Sequence, residues 1–458
     1  MLGVHRMEVL SLVFDMVLVI ISTLITIFAA KRIISTNTES VQDYVICIFF
    51  VFNCLPVLLD FLFGVPRFRY LYWWRPLRHP VEDDLTRVVY DVYMLLALAG
   101  FMIYQKVYKV YLQQKMPGGN GLGRRNVLDI PAVSMLLILA PYLAVLMSGK
   151  VSSFLIYGDH DIRGEISAGF GFLELPALLL VSVYAFGFYF FKKSRTWRAW
   201  ILFFIYSFSI VWLCGKRYII AVMLVMYVFF YVNSPDYDAK KRKKLLKVLP
   251  VLLTGVFLFS ALYLIFFKVG FREGRTATGF QSIYETLRVD FGRDDVTKYT
   301  LDLLLRGKGT YLDYPGQTIL STFLIWVPRS MWKTKPLQHF VYLTADIKGL
   351  SISNAGAGIT PSWYETCIAN FGFGGMFLAI VSIQLFCYWA DKTKNSKWRG
   401  VGLILLISLL TQSIDIYIFF LMLIMLSQVY HIIVGHRTIK IIVGHRRIKT
   451  TYKGKRLL

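Results

Sequence analysis

Val9–Ala30 reads VLSLVFDMVLVIISTLITIFAA: twenty-two residues, all but Asp15 uncharged. As a helix it rises about 33 Å, close to the ~30 Å hydrocarbon core of a bilayer. A lone strand or loop leaves its backbone unsatisfied in lipid, so the run is a membrane helix. The acid inside it and the Lys31-Arg32 that ends it are unlike a cleavable signal peptide.

Ten further apolar segments repeat the pattern, near 44–63, 88–104, 130–147, 170–191, 199–214, 218–232, 248–267, 370–390, 401–414 and 416–434. Residues 199–232 and 401–434 would each rise about 50 Å as one helix, too long for a single crossing. Each is therefore read as a tight hairpin, turning at Gly215-Lys216-Arg217 and at Ser413-Ile414-Asp415. Composition agrees: 56% of the 458 residues are hydrophobic and 17% charged, against about 45–50% and about 25% in soluble domains. This excludes a water-soluble enzyme, a disordered chain and a secreted disulfide scaffold. The five cysteines, Cys47, Cys54, Cys214, Cys367 and Cys387, have no metal-like spacing. The expected fold is all-α: one polytopic transmembrane domain over 1–458 with about eleven spanning helices.

Basic loops face the cytoplasm. Segments 31–43, 105–129, 192–198, 233–247, 391–400 and the tail 435–458 carry 2, 5, 4, 6, 4 and 8 Lys plus Arg, and only six acids among them. They alternate with the spans, which places the N-terminus outside and the C-terminus inside. Nearly all of the +24 net charge then lies on the inner face. The charge is a topology signal and calls for no nucleic-acid partner. One loop strains the rule: 64–87 holds Arg67, Arg69, Arg75, Arg78 and Arg87, yet alternation puts it outside. The cytoplasmic tail holds a tandem copy, IIVGHRTIK at Ile432–Lys440 and IIVGHRRIK at Ile441–Lys449. It reads as a duplicated basic segment lying along anionic lipid.

The long polar stretch 268–369 is expected to be a partly folded outer loop, with amphipathic helices near 280–291 and 298–305. Its apolar run Thr318–Val327, stopped by Pro328, is too short to span and reads as an interfacial helix. Basic residues on the inner side are mostly Lys, and those of the outer loops and spans are mostly Arg. Arg binds phosphate bidentately where Lys is a hydrated point charge, so an anionic lipid head group is the expected outer ligand. Asp15, Asp60, Asp91 and Glu174 sit near the outer ends of spans, which suggests a polar cavity opening outward. Lys216 and Arg217 sit at a hairpin tip between spans of only 16 and 15 residues. They either snorkel or point into that cavity. The glycines of Asn354–Ile359 (NAGAGI) lack the strand and Gly-Lys-Ser/Thr of a nucleotide loop. No His/Cys cluster suggests zinc, so neither metal nor cofactor is expected.

Three stretches together resemble the Wzy-type O-antigen (oligosaccharide repeat-unit) polymerases of bacteria. They are CGKRY at Cys214–Tyr218, VPRSMWKTKP at Val327–Pro336, and GITPSWYETCIANFGFGG at Gly358–Gly375. The large loop late in the chain matches as well. The resemblance implies a multi-pass enzyme of the bacterial inner membrane. It would move a growing glycan from undecaprenyl pyrophosphate onto an incoming lipid-linked repeat unit on the outer leaflet, with a chain-length regulator as a further partner. Breaking the sugar–pyrophosphate bond develops negative charge that fixed cations stabilise. Arg217, Arg329 and Lys335 are the candidates, with Lys216, Arg288 and Arg293 as further phosphate contacts. Attack by a sugar hydroxyl benefits from a general base, for which Glu365 is the candidate and Asp290 and His339 the alternatives. Trp332, Trp363 and Tyr364 are candidates to stack on sugar rings, or else interfacial anchors.

Two rivals remain. An O-antigen ligase would share the leaving group and differ in its acceptor. A lipid-linked oligosaccharide flippase or other transporter would be expected to show related halves with sites at mid-membrane, and the sequence has no such halves.

Overall fold

The computed structural model describes residues 2–35, 40–69, 71–115, 130–149, 151–155, 175–192, 196–215, 218–234, 237–245, 247, 280–324, 327–355, 358–392 and 396–413. The expected spans at 248–267 and 416–434, the tail repeat, Glu174, Lys216 and Arg217 lie outside these residues. Among the described residues the fold is helical, without strands.

Nine of the anticipated segments are apolar helices. In chain order, α1 is Leu2–Ser35, α2 Val41–Phe63, α3 a short Arg78–Glu82 and α4 Asp84–Lys115. Then come α5 Pro131–Met147, α6 Leu175–Phe191, α7 Trp197–Cys214 and α8 Tyr218–Val232. The large loop supplies α9 Phe280–Phe291, α10 Asp294–Leu305, α11 Gln317–Phe323, α12 His339–Lys348 and α13 Trp363–Phe371. The last two are α14 Phe373–Lys392 and α15 Ser396–Thr411. Five of these helices are long and apolar enough to cross a membrane, and four more are apolar but shorter.

The surface is that of a protein in lipid. Ile20, Leu136, Phe204 and Phe377 are 56%, 61%, 66% and 73% exposed. Such residues on α1, α5, α7 and α14 would form an aggregating patch in water and are at ease against acyl chains. The interior centres on α2, α4, α14 and α15. Along α15, Leu403–Leu406 have no exposure, and around them Phe49, Phe101 and Tyr364 meet edge to face.

Helix α7 stops where the sequence places its end. Cys214 ends α7, and Gly215 takes the left-handed conformation (φ 60°), its N–H on the Val211 carbonyl. This is the usual glycine stop of a helix. A second local device sits in α2, where Phe50–Cys54 form a π-turn. Pro56 has no N–H to give the Phe52 carbonyl four residues back. That carbonyl accepts instead from Arg293 N–H at 3.0 Å, and the Asn53 carbonyl accepts from Tyr90 Oη–H at 2.8 Å. A kink in a span thus docks the start of α10. At the opposite end of the bundle, Asp391 of α14 accepts from Val41 N–H (2.6 Å), Ser40 (3.1 Å) and Tyr104 (2.9 Å), tying α14 to α2 and α4.

The arginine-bearing loop 64–87 packs on the large loop, so the two share one side of the bundle. Arg69 N–H donates to Glu285 at 2.9 Å. Leu77 lies in a small apolar cluster with Val296, Leu343, Ile347 and Ile359.

Both amphipathic pieces expected in the large loop are helices. The apolar piece is corrected: α11 spans Gln317–Phe323 and does not reach Pro328. The backbone leaves helical geometry at Leu324, and Ser321 instead binds the Pro336 carbonyl at 2.9 Å, folding the following loop back over the helix. The polar face of α11 (Gln317, Thr318, Ser321, Thr322) is buried, while Leu320 and Phe323 are exposed. That reversal suits a helix lying against lipid.

Candidate active site

Gly358–Gly375 supplies the centre of the site. Ser362 caps α13, its Oγ accepting Glu365 N–H at 3.4 Å. In the capping box the glutamate side chain would reach back to the cap residue. Here it turns inward. Glu365 Oε1 accepts from Thr300 Oγ–H (2.9 Å) and from the Tyr311 hydroxyl, and Oε2 meets His339 Nε2 at 2.9 Å. Glu365 and His339 have no exposed surface. A carboxylate so deep must be hydrogen-bonded throughout, and both of its oxygens are.

A second tier fixes the imidazole. Asn370 Oδ1 accepts Thr318 N–H at 3.2 Å, and Asn370 Nδ2 donates to Thr318 Oγ1 at 2.8 Å and to the Thr366 carbonyl at 2.8 Å. The Thr318 hydroxyl lies 3.1 Å from Asn370 Oδ1 and 2.9 Å from His339 Nδ1, and so joins the amide to the imidazole. Asn370, Thr318, His339 and Glu365 thus form one continuous hydrogen-bonded chain. Tyr311 completes it: burial first, then the Glu365 charge, hold its hydroxyl well above the ordinary tyrosine value. It therefore keeps its proton and donates. Half-buried, it is the member nearest the surface.

Arg329 and Lys335 lie on the loop after α11. Arg329 binds the Lys335 carbonyl at 2.9 Å, and Lys335 Nζ binds the Val327 carbonyl at 3.0 Å, so the two cations close the loop on itself. Arg329 is exposed. Burial, then the neighbouring Arg329 charge, lower the Lys335 ammonium below its ordinary value. The loop returns through Pro336 to His339 of α12, the residue that meets Glu365. Trp332 is half-buried, its indole N–H on Thr334 at 3.2 Å.

The other expected residues are placed differently. Arg288 is 2% exposed and grips two carboxylates, Asp60 (2.8 Å) and Asp294 (2.6 Å). Arg293 binds the Thr411 and Gly292 carbonyls at 3.1 and 2.7 Å beneath the Phe52 ring, and burial lowers it to about 10. Tyr364 is fully buried between Phe49 and Tyr93, with its ring in the core where an open sugar platform was expected. Trp363 binds Ser382 at 2.7 Å. Asp290 lies at the end of α9, and Lys216 and Arg217 are outside the described residues. Nothing along the chain marked Thr300 and Tyr311, 65 and 54 residues from Glu365, as its partners, or Thr318, 21 residues from His339, as the partner of the imidazole. Asn370 lies in the quoted Gly358–Gly375 stretch, but only packing sets it on Thr318.

Of the four span acids, Asp15 and Asp60 lie near that same face, and Glu174 is outside the described residues. Asp15 pairs with Arg87, which also holds Asp84 at 3.2 Å, and Asp60 holds Arg288 and Tyr284. Asp15 and Asp60 border a cavity of about 260 Å³.

Asp295, at the start of α10, is 2% exposed, and its Oδ2 has no donor. Burial foremost, with the Asp294 charge adding and Arg288 opposing, pushes its carboxyl up to about 7. An unfolded aspartate titrates near ~3.9. Between those values the folded chain binds the proton more tightly, so this group's stabilisation is complete below about pH 4 and is lost as pH rises to about 7. Asp295→Asn should remove that slope from the thermal midpoint of the detergent-solubilised protein. An identical slope in the variant counts against the assignment.

The class these features define is a helical membrane protein with a polar site on one side of its bundle. No protein family, curated protein or solved structure matches the chain.

Proposed function

We propose that the protein is a membrane glycosyltransferase that polymerises lipid-linked oligosaccharide repeat units. It transfers a growing glycan from undecaprenyl pyrophosphate to the incoming unit on the outer leaflet of a bacterial inner membrane. The observation that carries this reading is Glu365: a buried carboxylate oriented by Tyr311, Thr300 and His339, one loop along the chain from the exposed Arg329 and its neighbour Lys335.

The chemistry follows from that placement. The acceptor hydroxyl bonds to the anomeric carbon of the donor sugar as the carbon–oxygen bond to pyrophosphate breaks. The bonding electrons leave with the lipid pyrophosphate, whose growing charge Arg329 and Lys335, with Arg217, stabilise. The acceptor proton passes to the Tyr311 oxygen as Tyr311 hands its own to Glu365, so Tyr311 ends as it began.

The test is a ladder gel of surface polysaccharide from a strain lacking the gene. A single repeat per core supports the polymerase. Bare core points to a ligase or flippase, and repeat units trapped on the inner leaflet point to a flippase.

A further inference from the structure

The 260 Å³ cavity lies between the membrane helices α1 and α2 and the start of α4, and its lining is mixed. Asp15, Asp60 and Glu82 present carboxylates, Arg87 and Lys298 present cations, and apolar side chains such as Val57 form the remaining wall. Two of these groups are deeply buried and only partly paired. Asp15, 4% exposed, gives one oxygen to Arg87 and shares a hydrogen bond with the Asp91 carboxyl behind it, so that its Oδ1 meets no nitrogen or hydroxyl donor. Lys298, 2% exposed, spends one N–H on Asp294 at 3.1 Å and faces the Tyr90 ring at 4.9 Å. An ammonium has three N–H groups, so at least one remains for the cavity. Asp91 is itself without exposure, and beyond this contact with Asp15 neither of its oxygens meets a nitrogen or hydroxyl donor.

Buried groups with spare bonds are costly unless something completes them. The wall decides what can. A metal cation would face Arg87 and Lys298 at close range, and an anion would face three carboxylates. A neutral ligand with both hydroxyl donors and oxygen acceptors meets neither penalty, and its C–H faces can rest on the apolar wall. The volume is just below the ~300 Å³ at which drug-sized pockets begin, room for one ring and no more. Glu82 and Asp83 continue from this cavity into a wider open basin of about 440 Å³ edged by Arg75, Arg78 and His79. Glu82 borders both spaces. A ligand reaching the cavity can therefore extend into a cation-lined basin.

We propose that this cavity binds one uncharged sugar residue, with Asp15 and Lys298 as its principal hydrogen-bond partners and Glu82 at its mouth. It would be a carbohydrate subsite apart from Glu365. Its place in a polymerisation reaction rests on the function proposed above, whereas the binding itself does not.

The test uses the full chain in lipid nanodiscs and saturation-transfer NMR with free neutral sugars: a hexose, an N-acetylhexosamine and a 6-deoxyhexose. Transfer to ring protons of at least one is expected with the native protein. Asp15→Ala should weaken it about tenfold, the loss of one charge-assisted bond. Asp15→Ala also breaks an ion pair. Leu12→Trp, at a half-exposed position on the cavity wall, fills the space with every ion pair kept and should weaken binding at least as much. No transfer from any sugar overturns the proposal, as does transfer unchanged in both variants. Binding of calcium or sodium ions in place of sugars overturns it too. Glu365→Gln separates the two readings. Transfer lost in that variant would place the sugar at Glu365 and overturn the separate subsite. Transfer kept beside unaltered glycan chain lengths would sink the polymerase site and leave the cavity standing.

Discussion

Arg288→Ala should destabilise the protein by about 3–5 kcal/mol, the usual result of removing one partner from a buried ion pair. Arg288 has almost no exposed surface, and its guanidinium bridges Asp60 of a membrane helix and Asp294 of the large loop. The substitution strands two carboxylates, of which only Asp294 keeps a second cation, Lys298. Arg288→Lys should recover part of the loss, since one ammonium cannot form the two-pronged contact to both acids. A triple replacement with Asp60→Asn and Asp294→Asn should be closer to native than the single change, because it removes the stranded charges too. The thermal midpoint in detergent reads all three. An unshifted midpoint for Arg288→Ala, with glycan chain length reduced, would return Arg288 to the phosphate role that its position in the large loop suggested.

Glu365→Gln should reduce polymer formation by roughly a hundredfold or more, the range a positioned proton acceptor contributes. The effect has two parts that can be separated. The amide replaces an oxygen with NH2 either where the carboxylate received the Tyr311 and Thr300 hydroxyls or where it meets His339, so some stability is lost, on the order of 1–3 kcal/mol. Thr300→Val removes one of those hydrogen bonds and leaves the carboxylate. It should share a modest stability loss and keep long glycan chains. Wild-type chain lengths from Glu365→Gln at normal protein levels would remove Glu365 from the chemistry and leave it as the keystone of a buried network.

How much of this could be read along the chain differs from residue to residue. Val9–Ala30 and its eight described counterparts were legible because apolar runs in lipid have one way to satisfy their backbone, within the helix itself. Gly215 marked its turn for an equally local reason. The end of α11 was not legible: the apolar run continues to Val327, but the helix ends at Phe323, and the Ser321 to Pro336 contact that holds the following loop over it closes only in three dimensions. Glu365 could be picked from its stretch. Its burial, and the hydroxyls of Tyr311 and Thr300 that face it, could not.

The sequence by itself determined the helices, the run of apolar segments and the concentration of arginine in 64–87, since each depends on residues a few positions apart. Only the tertiary structure decided what the charges do. Arg288 and Arg329 are the same residue type in the same loop, yet one is locked between Asp60 and Asp294 and the other is open to solvent. The cost of burying a charge depends on partners brought from 228 positions away, as Asp60 is for Arg288, and no local pattern encodes that meeting.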